Sequence, residues 1–316
     1  MSKTFFSGIQ PTGKPHIGNY FGAMKQFVDL QNSSMSGLVM IADLHGLNSV
    51  QDKEVMRENI LGVMLDYLAL GLDPEKLIIF KQSDVSGHSE LTWIFDTITT
   101  MPYLMRAHAF KDAEAKGKEI SVGVFNYPML MAADILLYSP DLVPVGQDQK
   151  QHVEIARDTA EKFNRIFKKD VFKLPEHMIM PEVAVVPGID GQKMSKSYNN
   201  TIPLFATDEE IKKQVMAIVT DSGSDIPQNV YAIHALIKPK EELDILYAEH
   251  KGKYKALKDA LVADLIAFIS PLREKRREFE NDIPRVLEIL KQGGIKAKNI
   301  AEAKMKEVRE VIGVTL

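Results

Sequence analysis

In the first half of the chain, short apolar runs alternate with amphipathic stretches. Thr4–Ser7, Leu38–Ala42, Leu77–Phe80 and Leu142–Val145 are runs of the length and composition that buried strands use. Between them Ile17, Phe21, Met24 and Val28 step by four, three and four, as one face of a helix does. Met56–Leu70 predicts a second helix, and Val153, Ala156, Ala160 and Phe163 mark the apolar face of a third. Alternation at this spacing predicts βαβ units wound on both faces of a parallel sheet, an α/β Rossmann-like, doubly wound arrangement. After about residue 200 the strand signals stop. Thr207-Asp208-Glu209-Glu210 is a capping box, followed by Ile211, Val215 and Ile218 at helical spacing. Tyr254–Phe268 and Leu272–Phe279 predict one long helix interrupted by Pro271, and a last helix spans Ile300 to Ile312. An α-helical domain therefore follows the α/β domain, with the boundary near 190–200, drawn as 1–192 and 193–316.

The 316 residues leave room for about two domains, and 45% hydrophobic with 26% charged residues is ordinary globular composition. The chain has no cysteine, which excludes disulfides, thiolate–zinc sites, cysteine-ligated iron–sulfur clusters and a cysteine nucleophile. Its net charge is −4, but Lys238–Leu316 carries 17 Lys and Arg against 14 Asp and Glu, and the remainder 22 against 29. A mildly basic C-terminal part suits a phosphate-backbone partner; solvated helix faces account for it equally well. Met1–Phe6 carries no signal-peptide core, and no apolar run approaches the length of a membrane span. The expectation is a soluble cytoplasmic protein with no membrane contact.

Two polar segments carry the candidate chemistry. The first strand runs into Gly8-Ile9-Gln10-Pro11-Thr12-Gly13-Lys14-Pro15-His16-Ile17-Gly18-Asn19, ahead of a helix. In an open α/β sheet ligands sit at such a crossing, and helix N-termini suit phosphate. Gly18 would let a base or ribose approach, and His16 and Asn19 would donate to phosphate oxygens. The spacing fits neither the dinucleotide fingerprint nor the Walker loop, and a plain Gly- and Pro-rich turn reads equally well locally. The second segment, Gly188-Ile189-Asp190-Gly191-Gln192-Lys193-Met194-Ser195-Lys196-Ser197, sets two lysines where they would follow a triphosphate and a departing pyrophosphate.

Together Pro11, Pro15-His16-Ile17-Gly18-Asn19 and Lys193-Met194-Ser195-Lys196-Ser197 resemble the two signatures of class I aminoacyl-tRNA synthetases. A chance match to the second pentapeptide is on the order of 10⁻⁴ per chain at average usage of ~5% per residue. Asn19 stands where a second histidine is common in the class, which is similar to the tryptophan branch. Pro128 suits a first helical position, after which Met131, Asp134, Ile135 and Tyr138 share one face. A carboxylate on an apolar face needs a donor, and an indole N–H is a donor with no acceptor capacity. An Asp that caps or pairs within the core is the commoner fate of such a residue. Met131–Tyr138 and Val143–His152 resemble segments of the tryptophan branch, and the likeness runs from Phe6 into the C-terminal helices.

The resemblance implies an ATP-dependent ligase that converts L-tryptophan to tryptophanyl-adenylate plus pyrophosphate, then charges the 3′ end of tRNA(Trp). Gln10, Pro11, Thr12, Gly18 and Asn19 would contact ATP. Gly146, Gln147 and Asp148 would hold the ribose region, with Gln147 replacing the Glu more usual there, and Val186 would pass close to the adenine. Lys193, Met194, Ser195, Lys196 and Ser197 would track the phosphates, and His16, Asn19 and Lys111 would assist. Lys111 lies near Lys116 and Lys118, where a solvated lysine cluster is the usual account. Asp134 would read the indole nitrogen and Gln149 the α-amino end. Phe6, Gly8, His45, Tyr127, Met131 and Val143 would complete the amino-acid pocket.

Asp43 and His45 lack a third metal-ligand partner, so no protein-bound metal is expected, and Mg2+ would arrive on the phosphates of ATP. Trp93 and the 15 methionines read as core or pocket filling. The 174 residues between Gly18 and Lys193 leave no room for a large inserted editing domain. The family also implies a homodimer, anticodon reading by the helical region, and a last helix that packs back on the catalytic domain. Three alternatives stand beside this reading: a tyrosyl-tRNA synthetase, another α/β nucleotidylyltransferase, and a non-catalytic tRNA- or tryptophan-binding paralogue. The last should have lost His16, Asn19, Lys193 or Lys196, and all four are present.

Overall fold

The computed structural model describes residues 3–33, 35–107, 110–111, 114, 119–146, 149–179, 186–220 and 225–315. At its centre five strands, β1 (Thr4–Ile9), β2 (Ser36–Ile41), β3 (Leu77–Lys81), β4 (Leu142–Val145) and β5 (Glu176–Ile179), form a parallel sheet in the order β3-β2-β1-β4-β5. Successive side chains leave a strand on opposite faces. Phe5, Val39, Ile41, Leu77 and Ile79 accordingly enter one apolar cluster, and Phe6, Leu38, Met40, Phe80 and Val143 the other. Both faces are buried, which is why these strands read as continuous apolar runs rather than alternating ones. Gly37 lies opposite Phe5 in the register, and a Cβ there would meet the Phe5 ring at 2.2 Å.

On the first face lie α1 (residues 17–31) and α2 (Lys53–Ala69); on the second, α3 (Gly87–Ile98), α4 (Val122–Leu136) and α5 (Lys150–Phe167). The expected faces are the buried ones: Ile17, Phe21 and Met24 on α1, and Val153, Ala156, Ala160 and Phe163 on α5. Among the described residues α6 (Asp208–Met216), α7 (Gln228–His234), α8 (Lys240–Glu249), α9 (Tyr254–Glu280) and α10 (Ile283–Ile312) follow residue 200. The capping box at the start of α6 forms, with Thr207 Oγ1 accepting from Glu210 N at 3.2 Å and Glu210 Oε2 from Thr207 N at 2.8 Å. Leu261, Leu265 and Ile269 of α9 join the same apolar cluster as α1 and α2.

Four expectations need correcting. Pro128 is not a first helical residue: α4 starts at Val122, where Ser121 caps the Val124 N–H, and Pro128 lies inside it. Pro271 does not interrupt α9, which runs unbroken for 27 residues. One lost hydrogen bond is tolerated because Arg273, just beyond, is tied to the Ala206 carbonyl and Asp208, and Arg276 to Asp66. The last helix begins at Ile283 rather than Ile300. It runs through Gly293-Gly294, where a Cβ on Gly293 would lie 1.7 Å from the Ile79 carbonyl oxygen, so glycine lets α10 lie directly on β3. From there α10 serves both clusters, through Val286 and Leu290 on one side and Ala297, Ala301, Met305 and Val308 on the other, and it covers the edge of the sheet. Finally, Trp93 fills no core: it is 71% exposed on α3, and Met101 (66%) and Met105 (46%) are exposed as well.

Candidate active site

A cavity of about 270 Å³ opens at the C-terminal ends of β1 and β4, the point where the strand order reverses. Phe6, Gly8, His45, Tyr127, Met131, Asp134, Val143 and Gln149 all line it, joined by Gln10 and Gly146. The structure thus gathers every residue nominated for the amino acid into one concavity. It adds Gly22, Ala23, Gln26 and Phe27 from α1, and Met40 from β2. The residues from α1 escaped the sequence because α1 is not uniform: between α-helical turns at Ile17–Asn19 and Lys25–Gln31 it passes through a π-helical turn at Tyr20–Met24. Such a bulge re-aims side chains without leaving a 3.6-residue signature.

Asp134 is 2% exposed and well supplied with donors. Oδ1 accepts from Gln82 Nε2 at 2.7 Å and faces His88 Nδ1 at 2.6 Å; Oδ2 faces His45 Nε2 at 2.8 Å. Burial alone would push this carboxyl up. The hydrogen bond from His45, together with the charge and hydrogen bond of His88, outweighs burial and holds it at about 2. Asp134 is therefore a permanently ionised acceptor, and it does not wait unpaired for a ligand. Gln82 and His88, both 0% exposed, were not anticipated. Their signal was slight: Gln82 is the residue after β3, at the carboxyl edge of the sheet where ligands gather. Behind His88, Nε2 meets the Tyr138 hydroxyl at 2.9 Å, and Tyr138 stacks on Phe6. On the far wall the Tyr127 hydroxyl meets His152 Nε2 at 2.9 Å. Asp43 faces away from this network, accepting from the Ser83 backbone N–H and hydroxyl. Among the described residues no group of three or more His, Asp or Glu is arranged to hold a metal ion.

The two motif loops meet beside the cavity. His16 and Asn19 cap each other: His16 Nδ1 accepts from Asn19 N at 3.2 Å and Asn19 Oδ1 from His16 N at 3.1 Å. Burial, aided by the Lys196 charge, lowers the His16 pKa to about 4, so its ring is neutral at pH 7. With Nδ1 accepting, the proton sits on Nε2, which is left as a neutral donor. A Cβ on Gly18 would meet His16 Nδ1 at 2.9 Å, so the glycine makes room for the His16 ring. Ile17 N and Leu204 N donate to the Ile202 and Pro15 carbonyls, tying the first loop to the chain just beyond the second.

Lys196 Nζ closes the gap, donating to the Thr12 and Gly13 carbonyls at 3.1 and 3.0 Å. Burial pushes its pKa down. Met194 is buried in the core, and the Met194 N–H donates to the Val186 carbonyl at 2.9 Å. Ser195 caps the turn Lys196–Tyr198 and its hydroxyl lies 2.8 Å from that of Ser197. Lys193, Lys196 and Ser197 are exposed. Asn200, 1% exposed and not anticipated, organises the whole turn: Oδ1 accepts from Ser195 N, while Nδ2 donates to Asp190 and to the Lys193 carbonyl. Pro11 is buried at the base of the first loop. Lys111 is exposed and does not line the cavity. Gln147 and Asp148, like Lys116 and Lys118, lie outside the described residues.

Residues 2–290 match the family tRNA synthetases class I (W and Y). A tryptophan–tRNA ligase of Fusobacterium nucleatum subsp. nucleatum is 48% identical over 320 residues, covering 99% of this chain and 98% of that one. One from Rhodopirellula baltica is 44% identical, covering 98% of each. The crystal structure of the Campylobacter jejuni tryptophanyl-tRNA synthetase, complexed with ADP and tryptophan, superposes with a TM-score of 0.91 at 43% identity, covering 98% of this chain and 99% of that one. Family match, identity and fold agree along the full length, and the chain belongs to the class I tRNA synthetases and, within them, to the tryptophan–tRNA ligases.

Proposed function

We propose that the cavity beside Asp134 takes L-tryptophan and that ATP lies from it across Gln10–Asn19 to the Lys193–Ser197 turn. One observation carries the reading: the eight residues nominated for the amino acid line a single cavity, which Gln10 of the first nucleotide motif also lines, and Lys196 ties the second motif to the first at Thr12 and Gly13. The tryptophan carboxylate attacks the α-phosphorus of ATP in line, the bond to the bridging oxygen breaks, and pyrophosphate leaves with that electron pair. A ribose hydroxyl at the 3′ end of tRNA(Trp) then attacks the activated carbonyl and releases AMP. Neither step needs a protein nucleophile. The chain's part is to position the reactants and to offset the charge that builds on the phosphates.

In that role the neutral His16 donates through Nε2. Lys196 exchanges the Thr12 and Gly13 carbonyls for phosphate oxygens, and Lys193 follows the leaving pyrophosphate. Mg2+ arrives with ATP as part of the substrate, held by its phosphates. Pro11, Thr12, Asn19, Gly146, Gln147, Asp148 and Val186 frame the nucleotide, and Gln149 takes the α-amino end of tryptophan.

Residues 1–192 act as the catalytic domain; residues 193–316 carry the lysine turn and the helices that read the anticodon, with the basic balance after Lys238 as the electrostatic support. Trp93, Met101, Met105 and Val122 present exposed apolar surface on neighbouring elements, which suits the interface of a homodimer. Among the described residues no helix is long and apolar enough to cross a membrane, in keeping with a cytoplasmic enzyme. The test is aminoacylation: labelled tryptophan should become acid-precipitable with ATP and bacterial tRNA, and incorporation of tyrosine instead would overturn the pocket assignment.

A further inference from the structure

A carboxylate offers about four acceptor sites, two on each oxygen. Among the described residues Asp134 fills both on Oδ1, through Gln82 and His88, and one on Oδ2, through His45. One acceptor site remains, and it is on Oδ2. Behind it stands a chain of contacts. Asp134 only accepts, so His88 presents Nδ1–H to it, and the Tyr138 hydroxyl meets the far ring nitrogen, Nε2, at 2.9 Å. Burial with the nearby Asp134 charge pushes the Tyr138 hydroxyl far above its ordinary range, so that hydroxyl keeps its proton. The contacts run without a gap from Tyr138 through His88 to Asp134, inside a region where all three side chains are nearly or wholly excluded from solvent.

We propose that His88, oriented by Tyr138, is a positioning residue for amino-acid selection: with Gln82 it saturates Oδ1 of Asp134 and leaves Oδ2 as the single point at which an indole N–H is read. The assignment rests on the proposed tryptophan cavity and deepens it. A carboxylate with a free site on each oxygen can turn, or take a water, and so accommodate a side chain that has no N–H. A carboxylate pinned at one oxygen cannot, and an analogue without the donor leaves the last site empty at full cost.

The probe is a tryptophan isostere with sulfur in place of the indole N–H (3-benzothienylalanine), compared with tryptophan in ATP–pyrophosphate exchange. The reported quantity is the ratio of their kcat/KM values. His88→Leu should narrow that ratio about 10- to 100-fold through KM for tryptophan, with KM for ATP unchanged. His88→Asn, whose amide N–H stands where Nδ1–H stood, should restore most of it. Tyr138→Phe keeps the ring packing against Phe6 and Phe80 and removes only the hydroxyl, so it reports even if His88→Leu fails to fold; it should narrow the ratio in the same direction, by less. Equal losses for both amino acids in His88→Leu, or an unchanged ratio in Tyr138→Phe, would overturn the proposal. If the wild-type chain supports exchange with neither compound, the tryptophan reading itself fails, and this assignment fails with it.

Discussion

The junction between α2 and α9 offers a quantitative test of how the helical region is held. Asp66, 2% exposed on α2, receives the Arg276 Nε of α9 at 2.7 Å, and the same guanidinium lies over the Phe205 ring. Phe205 belongs to the short stretch that follows the lysine turn, and Arg273, one turn back on α9, grips that stretch at Ala206 and Asp208. Burial raises the Asp66 pKa from 3.8 to about 6, even though the hydrogen bond and charge of Arg276 pull it down. A carboxyl raised on folding gives stability that is present at low pH and lost as pH rises through the folded value. The rise seen here corresponds to about 3 kcal/mol lost across that window. Without Arg276 the folded value climbs further, so Arg276→Ala should cost about 3 kcal/mol more near pH ~7.5, where a buried charge loses its partner. Near pH ~5, where Asp66 is already mostly protonated in the folded wild type, the cost should shrink to about 1 kcal/mol. Urea unfolding of wild type and variant at both pH values measures the difference, and Asp66→Asn in the Arg276→Ala background should recover most of the loss. An equal cost at the two pH values would refute the reasoning.

Two further substitutions test the phosphate side of the site. Lys196→Ala should slow adenylate formation by roughly 100-fold in single-turnover assays while tryptophan affinity, read by equilibrium binding, stays within about twofold. Unchanged turnover with weakened tryptophan binding would remove Lys196 from the phosphates. Asn200→Ala removes hydrogen bonds to Ser195, Asp190 and the Lys193 carbonyl and should cost about 2 kcal/mol in urea unfolding, with KM for ATP raised several-fold. An unchanged KM for ATP would mean that the turn holds its shape without Asn200.

Strands β1 to β4 and both motifs are legible in the sequence because they rest on local rules: uniform apolar runs for doubly covered strands, and a run of polar residues too specific to arise by chance. The edge strand β5, Glu-His-Met-Ile, is no apolar run and was not anticipated. Asp134 and its pocket mates follow from helical spacing on one element together with the family resemblance. What escaped the sequence is what the fold brings from elsewhere. Gln82 and His88 lie at the start of the long β3–β4 connection and Asp134 near its end on another helix, 46 or more residues away, and no periodicity joins them. Intrinsic propensity disfavours Gly293 and Pro271 inside helices; packing on β3 and the arginine anchors overrule it. Trp93 illustrates the opposite error, since an aromatic residue on an amphipathic helix reads as core, whereas the packing of α3 turns this one outward.

The most direct measurement is exchange of labelled pyrophosphate into ATP, with each of the twenty amino acids supplied separately and no tRNA present. The account predicts exchange with tryptophan and with no other amino acid, because the remaining acceptor site of the Asp134 carboxylate in the cavity wall is matched by an indole N–H. Exchange driven by tyrosine would contradict the Asp134 pocket while keeping the fold. No exchange with any amino acid, from folded protein, would contradict the catalytic reading altogether.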